Sequence, residues 1–339
     1  MRRRGGERVR VSVVVAAYNA AWCIERAVES TLSQGRPPDE VIVADDGSSD
    51  GTAGLLERRF GPAVTVLRLA HRNAAAARRV AIERSSGDWI AFLDADDLWR
   101  PGKLERQLAF LERHPRVRWL TADGRLVSDA GVLRDSWLAD YFDPVVDVTG
   151  DLLPPLVERC FPLVSAMLVE RGAYDAVGGI DPDIAYSHDY DLWLRLAARY
   201  PGGLLAEPLV DYFSGPGTLS RNYEPRFRDD LAIMRRAEKS GLGHGVGIRR
   251  VAAERASALE FDIAILAVRA GRLGEARARL RRVLRQGPWE RRLVALGGVL
   301  LPAGAVGRMV QSAWMKRVVK RARRVAGRLT LPGAGEGPA

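Results

Sequence analysis

Cysteine is scarce in this sequence of 339 residues, which contains only Cys23 and Cys160. Two cysteines so far apart supply neither a disulfide framework nor the clustered ligands of a structural zinc site. A signal peptide is also missing, because the basic amino terminus runs into a strand pattern and not into an apolar core. We therefore expect a cytoplasmic protein whose two cysteines are plain buried or half-buried side chains.

Two common phosphate-binding motifs are absent as well. No Gly-x-Gly-x-x-Gly follows the first predicted strand, and the sequence contains no Walker-type loop. These absences exclude the usual dinucleotide and P-loop cradles. The uncharged stretch 293–307 is too short and too interrupted by glycine and proline to cross a bilayer, which takes about 20 apolar residues.

The net charge of +10 is unevenly distributed along the chain. Residues 1–224 carry 27 Lys+Arg against 33 Asp+Glu, a net charge of −6, whereas residues 225–339 carry 25 against 9, a net charge of +16. The basic part is not interleaved with stacking aromatic residues, so we expect no nucleic acid partner. An anionic membrane surface is the better candidate partner.

Short apolar runs alternate with helical patterns in the first hundred residues. The β-branched run at 9–16 is typical of a strand buried on both faces of a parallel sheet. This alternation predicts an α/β fold with a mostly parallel sheet flanked by helices, in which ligands bind at the carboxyl ends of strands. Further strands are predicted at 40–44, 64–69, 89–93, 117–120 and 161–169.

Three carboxylates crowd the end of the strand predicted at 89–93. Asp94, Asp96 and Asp97 follow that strand and precede a helix that opens near Pro101. Such close carboxylates repel one another unless a cation joins them, and Mg2+ is commonly held by one or two carboxylates plus substrate phosphates. A solvated acidic turn that caps the helix is the alternative interpretation.

Four motifs follow one another within residues 9–100, and a fifth comes later. They are VSVVVAAYN at 11–19, VADDGSSDGT at 43–52, Asn73 with Arg78, GDWIAFLDADD at 87–97 and SHDYDLWLRL at 187–196. In this combination the chain resembles the family 2 glycosyltransferases, which have the GT-A fold. The resemblance implies an inverting transferase that uses a nucleoside diphosphate sugar and Mn2+ or Mg2+.

The resemblance also implies which residues bind the nucleotide-sugar. Tyr18 is expected to stack on the base and Asp46 to accept a hydrogen bond from it, with Ala16 beside them at the end of the first strand. Arg78 is expected to reach the diphosphate. Its alternative is a solvated arginine on the face of its helix.

The three aspartates after the strand at 89–93 have different expected roles. By the resemblance, Asp96 contacts the ribose-diphosphate and the metal. Asp97 is the second expected metal ligand. Asp94 is expected to support both of them from the strand.

The fifth motif supplies the expected general base. Asp189 matches the family residue that takes the proton of the acceptor hydroxyl during attack on the anomeric carbon. Asp191 is expected to fix the helix terminus, where the helix dipole favours acids. His188 stands where many family members have glutamate, and it is either a bystander or a metal or diphosphate contact.

Two further features bear on how the enzyme would work. Residues 210–220 resemble the segment that covers the donor in the family, and their glycine and serine content suits a lid that excludes water. The Gln-x-x-Arg-Trp motif of the processive polysaccharide synthases is absent from the sequence. We therefore expect the addition of a single sugar.

The C-terminal third has a helical and arginine-rich pattern. Residues 225–290 are predicted to form a helical appendage with one helix-turn-helix unit, similar to a single tetratricopeptide-like hairpin. Residues 291–328 join an apolar stretch to a basic amphipathic helix that either lies in a membrane interface or packs on the protein. Residues 329–339 have the composition of a disordered tail.

We therefore expect residues 1–224 to form a GT-A domain, with the nucleotide-sugar half at 9–100 and the acceptor half at 101–224. Its acceptor would be a hydroxyl of a glycan or lipid-linked glycan, in cell-envelope or exported glycan synthesis at the inner face of the cell membrane. Two alternatives stay open. One is a polyprenyl-phosphate sugar transferase, whose phosphate nucleophile needs no base, and the other is an inactive nucleotide-sugar binding module.

Overall fold

The protein is described here by a computed structural model. The structure describes residues 8–215, 222–287 and 289–300. These residues fall into two compact units, one formed by 8–215 and the other by 222–287 with 289–300. Most of the predicted lid, 216–220, and most of the predicted membrane-binding segment and tail, 301–339, lie outside the described residues.

The first unit is built on a ten-stranded sheet with helices packed against it. The strands are β1 Val11–Ala17, β2 Glu40–Asp45, β3 Thr65–Arg68, β4 Trp89–Asp94, β5 Leu98–Trp99, β6 Trp119–Ser128, β7 Gly131–Arg134, β8 Val148–Gly150, β9 Leu168–Glu170 and β10 Gly202–Phe213. The helices are α1 Ile24–Leu32, α2 Thr52–Phe60, α3 Ala74–Arg84, α4 Lys103–Arg113, α5 Leu153–Glu158, α6 Arg171–Ala176 and α7 His188–Ala197. The predicted α/β class is confirmed.

Strand order shows that the sheet has a parallel half and a mixed half. The order is β3-β2-β1-β4-β9-β6-β10-β5, with β7 beside β6 and β8 beside β10. The first four of these strands are all parallel. In the other half β5, β7, β8 and β9 are short and pair antiparallel with their neighbours, while β10 is parallel to β6. The sheet is therefore mixed, and the mostly parallel arrangement expected from the sequence holds only for the nucleotide half.

The central strand β1 explains why the parallel half is stable. It lies between β2 and β4, and six of its seven residues are fully buried, as its valine-rich sequence predicts. In the register of these strands Ala17 lies opposite Asp45, and Ala16 lies opposite Asp94. Because the three strands are parallel, their carboxyl ends meet along one side of the sheet, which we call the carboxyl edge.

The strand expected at 161–169 is mostly replaced by another structure. A 3-10 turn spans Val164–Ala166, and only Leu168–Glu170 is a strand. The turn is stabilised by two hydrogen bonds of Ser165. Its carbonyl oxygen accepts from the Trp99 indole N–H at 3.0 Å, and its hydroxyl accepts from the Asp94 N–H at 2.9 Å. Hydrogen bonds to residues far away in the sequence therefore favour a turn here in place of the predicted strand.

The second unit is helical and has a small core of its own. Its helices are α8 Tyr223–Ser240, α9 Val246–Arg269, α10 Leu273–Gln286 and α11 Trp289–Leu300. Apolar residues of α9, α10 and α11 pack together, among them Phe261, Leu280 and Ala295. The helix-turn-helix unit expected from the sequence is formed by α9 and α10, and Gly271 between them has a φ of 76°, which favours glycine.

Many arginines of the second unit form internal ion pairs. Glu260 is buried, and its carboxylate pairs with Arg279 at 2.8 Å and with Arg282 at 3.2 Å. Burial alone would raise the pKa of Glu275, but its hydrogen bonds with Arg272, Arg279 and Arg228 together outweigh burial and lower the pKa to about 2. Among the described residues no helix is long and apolar enough to cross a membrane.

Candidate active site

The loops that follow β1 and β2 are tied together at the carboxyl edge. The Asn19 N–H donates to the Ser48 hydroxyl at 2.8 Å, and the Asn19 side-chain oxygen accepts from the Ser49 N–H at 2.9 Å. One residue on, the Ala20 N–H donates to the Thr52 hydroxyl at 2.9 Å. The serine- and aspartate-rich sequence after β2 therefore holds the loop after β1 in place.

Tyr18 and Asp46 lie side by side in these loops, together with a histidine from the loop before α3. The Tyr18 side chain is half exposed and stacks on the His71 ring, with 4.1 Å between ring centroids and 21° between planes. Asp46 is buried, and its Oδ2 lies 2.9 Å from His71 Nδ1 while its Oδ1 accepts from the Arg72 N–H at 2.9 Å. An aromatic face and an oriented carboxylate thus lie next to each other at the carboxyl edge.

Arg78 lies buried between two elements that are far apart in the sequence. One terminal nitrogen pairs with the Asp94 carboxylate at the end of β4, and the other lies 2.5 Å from His188 Nε2 at the start of α7. Burial and the positive charge of Arg78 hold the pKa of His188 well below its usual value. His188 is therefore a neutral imidazole that accepts from the guanidinium.

These contacts change two interpretations. Arg78 is not a solvated helix-face arginine, because its side chain is only 9% exposed and both terminal nitrogens have protein partners. His188 has a structural role, because it joins the first turn of α7 to α3. The direct contact of either residue with the diphosphate stays a prediction.

Asp96 and Asp97 follow β4 but have different surroundings. Burial and the neighbouring charge of Asp94 raise the pKa of Asp96 to about 6. Asp97 is 1% exposed, and its two oxygens accept from the Ser165 hydroxyl at 2.5 Å and the Phe213 N–H at 2.9 Å. Burial and the charges of Asp94 and Asp96 also raise the pKa of Asp97 well above its usual range.

These surroundings bear on the two expected metal ligands. Within 8–215, 222–287 and 289–300 no group of three or more His, Cys, Asp or Glu side chains is placed to hold a metal ion. The residues present fit a cation that takes Asp96 and completes its shell with diphosphate oxygens and water, the usual mode for Mg2+. The hydrogen bonds of Asp97 favour a supporting role over the metal contact expected from the sequence.

The helix α7 brings the expected base to the same region. Asp189 is half-buried in the first turn of α7, next to His188. The helix is anchored by Trp193, which packs edge-on against Phe92 of β4 with 5.4 Å between ring centroids. Because His188 reaches Arg78 and Trp193 packs on β4, the first turn of α7 lies at the carboxyl edge.

Asp191 lies in the first turn of α7, as expected for a residue that fixes the helix terminus. It also pairs with Arg195 at 2.7 Å. Arg195 in turn donates to the carbonyl oxygens of Val177 and Gly179. Through Arg195, Asp191 thus helps to hold the turn at Gly179, which precedes α7 in the sequence.

Two site residues, His71 and Ser165, carry no sequence signal. His71 follows β3 in a loop without a recognisable motif, and Ser165 lies in a run that reads as an ordinary strand. Ser165 accepts from the Asp94 N–H at 2.9 Å and donates to Asp97, so one hydroxyl aligns two of the three aspartates. Neither contact follows a spacing rule that could have revealed it.

Cys23 is a buried side chain whose surroundings include the charge of Asp96. It is 4% exposed, and burial together with the charge of Asp96 raises its pKa to about 12. Cys160 is half-buried, and neither cysteine forms a disulfide. The expectation of two plain cysteine side chains fits both positions.

The mixed sheet with strand-end carboxylates is the architecture of GT-A glycosyltransferases, and solved structures share it. The structure of S. aureus TarS 1-349 in complex with UDP-GlcNAc aligns with a TM-score of 0.64 at 17% identity, covering 91% of this chain and 92% of that one. The mannosyltransferase PcManGT from Pyrobaculum calidifontis, in complex with GDP-Man and Mn2+, aligns at 0.56 and 19% identity, covering 94% and 86%. At these identities the likeness shows the fold, and the expected GT-A fold is confirmed.

The sequence comparisons show the family. The model of the family described as Glycosyl transferase family 2 matches residues 12–134. The putative teichuronic acid biosynthesis glycosyltransferase TuaG of Bacillus subtilis (strain 168) is 43% identical over 234 residues, which cover 68% of this chain and 88% of that protein. The chain belongs to glycosyl transferase family 2, as its motifs indicate, and it is a glycosyltransferase.

Proposed function

We propose that this glycosyltransferase moves one sugar, with inversion, from a nucleoside diphosphate donor to a hydroxyl of a glycan acceptor. The contact between Arg78 and His188 is the observation that carries the proposal. It joins the end of β4, where Asp96 lies, to the first turn of α7, where Asp189 lies. Asp96, the candidate donor-binding carboxylate, and Asp189, the candidate base, therefore lie on the same edge of one sheet.

The donor's nucleoside would bind at Tyr18 and Asp46, with Ala16 beside them. The exposed ring of Tyr18 can stack on a base, and the fixed Asp46 carboxylate can accept an N–H of that base. The diphosphate would then lie toward Asp96 and Arg78 on the neighbouring strand and helix. The two structural neighbours are complexes with UDP-GlcNAc and with GDP-Man, so UDP and GDP both belong in the first panel to be tested.

A divalent cation, Mn2+ or Mg2+, would be held by Asp96 and the diphosphate. When bound, it offsets the negative charge of the leaving nucleoside diphosphate. Glycosyltransferases of this fold often use such metals, and PcManGT was solved with Mn2+. The raised pKa of Asp96 supports this placement, because a buried carboxylate beside Asp94 is relieved by a cation.

Asp189 would act as the general base. As the acceptor oxygen forms its bond to the anomeric carbon, the hydroxyl proton passes to the Asp189 carboxylate. The bond between the anomeric carbon and the diphosphate oxygen breaks on the opposite side, which inverts the configuration. The neutral His188 beside Asp189 brings no negative charge of its own to the diphosphate region.

The acceptor would be a glycan or lipid-linked glycan of the cell envelope, and the protein would act at the inner face of the membrane. The name of TuaG places that relative in teichuronic acid biosynthesis. The surplus of basic residues after 225 suits an anionic surface. Recovery of the whole protein in the soluble fraction at low salt would rule out the membrane part of this proposal.

Calorimetric titration with UDP, GDP, dTDP, CDP and ADP, with and without Mn2+, tests the donor site. We expect metal-dependent binding of one nucleotide, which the Asp96→Ala variant loses. Asp129→Ala is the matched control, since it removes an exposed aspartate from the turn between β6 and β7. The absence of binding to folded wild-type protein would refute the donor site, and nucleotide binding without sugar transfer from any donor would favour the inactive binding module over the enzyme.

The base is tested separately. Asp189→Asn should bind the nucleotide with unchanged affinity but transfer sugar at least about 100-fold more slowly, the usual contribution of a general base. Single-turnover transfer from the identified donor to a panel of glycan acceptors measures the rate. A fully active Asp189→Asn variant would favour the alternative in which the acceptor is a polyprenyl phosphate.

A further inference from the structure

His71 makes the two contacts that the proposed function assigns to the nucleobase. Its ring covers a face of Tyr18, with 4.1 Å between centroids and nearly parallel planes. Its Nδ1 lies 2.9 Å from Asp46 Oδ2 and 3.0 Å from the Asp46 carbonyl oxygen. Both partners are acceptors, so Nδ1 carries a proton and donates, as a ring N–H of a base would.

The space beside Tyr18 holds only one ring. A base inserted between Tyr18 and His71 would need roughly 7 Å between the flanking rings, twice the carbon contact distance of about 3.5 Å. The observed 4.1 Å leaves no such gap. A base can therefore use this face of Tyr18 and this oxygen of Asp46 only after the imidazole has left.

The surroundings allow the imidazole to leave without disturbing the carboxylate. The His71 side chain is 53% exposed and lies in the loop between β3 and α3. Asp46 keeps its second hydrogen bond, from the Arg72 N–H, when His71 moves. The backbone of His71 is packed closely on Gly47, where an added Cβ would come within 2.9 Å of the His71 nitrogen, so rotation of the side chain is the available motion.

We propose that His71 occupies the nucleobase position in the donor-free enzyme and is displaced by the base of the donor. This inference rests on the proposed function, because it takes Tyr18 and Asp46 as the base-binding residues. It makes His71 a specificity-determining residue. A base that replaces it must offer both a flat ring for Tyr18 and a ring N–H for Asp46.

That requirement selects a chemical class of donor. Uracil, thymine and guanine carry a ring N–H next to a carbonyl group, whereas cytosine and adenine carry none at neutral pH. We therefore expect nucleoside diphosphates of the first group to displace His71. Those of the second group leave the Asp46 contact unmade.

Removing the imidazole should strengthen nucleotide binding. The apparent dissociation constant equals the intrinsic one divided by the fraction of protein whose base site is open. Calorimetry with UDP, dTDP and GDP in the presence of Mn2+ should therefore show about 5- to 30-fold tighter binding of the accepted nucleotide by His71→Ala than by wild type, because one hydrogen bond and one aromatic stack hold the imidazole in place. His114→Ala, which removes a histidine whose ring packs at a tilt against Phe110 of α4, is the matched control and should bind like wild type.

NMR supplies a second readout that does not depend on activity. The sequence contains four histidines, so imidazole spectra of histidine-labelled protein are simple to assign by substitution. On addition of the nucleotide, the His71 ring signals should lose the ring-current shift imposed by Tyr18. Unchanged His71 signals in the saturated complex would overturn the proposal.

The outcomes separate this proposal from the proposed function. Weaker or unchanged binding by His71→Ala, with wild-type binding intact, would mean that His71 supports the bound base and does not replace it. Binding by His71→Ala when wild type binds nothing measurable would support the proposal in its strongest form. If neither protein binds any nucleotide, the proposed donor site fails and this proposal fails with it.

Discussion

The buried contact between Arg78 and His188 makes stability depend on pH in a predictable direction. His188 is 3% exposed and accepts from Arg78 at 2.5 Å, and burial and the Arg78 charge depress its pKa. In the unfolded chain the imidazole recovers a pKa of about 6.5. Below that pH the unfolded state binds a proton that the folded state excludes, so stability falls with falling pH.

The size of this effect follows from linkage. Above about pH 7 His188 does not reduce the free energy of unfolding. Below about pH 6.5 it reduces that free energy by up to ~1.4 kcal/mol per pH unit until the folded-state pKa is reached. At pH 5 the loss of stability is at most about 2 kcal/mol. Asp96 and Asp97 act in the opposite direction, since their raised pKa values favour proton uptake by the folded state.

Two substitutions separate the contribution of His188 to stability from the contributions of other titrating groups. His188→Gln keeps a side-chain acceptor for Arg78 but cannot titrate, so it should lose little stability at pH 7.5 and gain up to about 2 kcal/mol relative to wild type at pH 5. His188→Ala removes the acceptor and leaves a cavity beside a buried guanidinium, which should cost about 3 kcal/mol at pH 7.5. Because alanine does not titrate either, this cost relative to wild type should be smaller at pH 5. His114→Gln is the control for an ordinary histidine.

Urea unfolding followed by tryptophan fluorescence measures these differences, because six of the eight tryptophans lie in the first unit. The decisive quantity is the difference between wild type and His188→Gln at the two pH values. If that difference does not change between pH 7.5 and pH 5, His188 is not a buried neutral imidazole. The assignment of Arg78 as its hydrogen-bond donor would then be wrong as well.

Three further predictions follow from buried polar groups of the first unit. Asp96→Asn should raise the free energy of unfolding by about 2 kcal/mol at pH 7.5, because the ionised carboxylate with its pKa of about 6 is disfavoured in the fold, and the gain should shrink as the pH falls from 6 toward 4. Thermal melts at several pH values measure this, and a destabilised Asp96→Asn protein would contradict it. Lys103 is buried with its amine 2.7 Å from Gln107 and 3.9 Å from the Trp99 ring, and burial lowers its pKa well below the usual value. Lys103→Met should therefore be neutral or stabilising by about 1 kcal/mol, whereas Lys103→Ala should destabilise by at least about 2 kcal/mol through the cavity it leaves, both measured by urea unfolding. Ser165→Ala should lower the free energy of unfolding by about 1–3 kcal/mol, because it removes the hydroxyl that donates to the buried Asp97. A melting temperature equal to that of wild type would refute this stabilising role of Ser165.

Much of the candidate site could be predicted because it is encoded locally. Tyr18, Asp46 and Asp94 each stand at or just after the end of a run of buried apolar residues. Alternating strands and helices imply parallel pairing, and parallel strands bring their carboxyl ends to one edge of the sheet. Side chains that are far apart in the sequence can therefore be assigned to one site without coordinates.

The partners of those side chains could not be predicted in the same way. Arg78 and His188 are 110 positions apart, Ser165 and Asp97 are 68 apart, and His71 and Asp46 are 25 apart. No periodicity links such pairs, because their contacts depend on how α7 packs on β4 and how the loop before α3 folds over Gly47. The sequence by itself determined the α/β fold, the family and the strand-end residues, since these follow from local pattern and strand direction. Only the tertiary structure decided that His188 is neutral, that Asp97 is buried among donors and that His71 covers Tyr18, because burial and hydrogen bonding are set by distant neighbours.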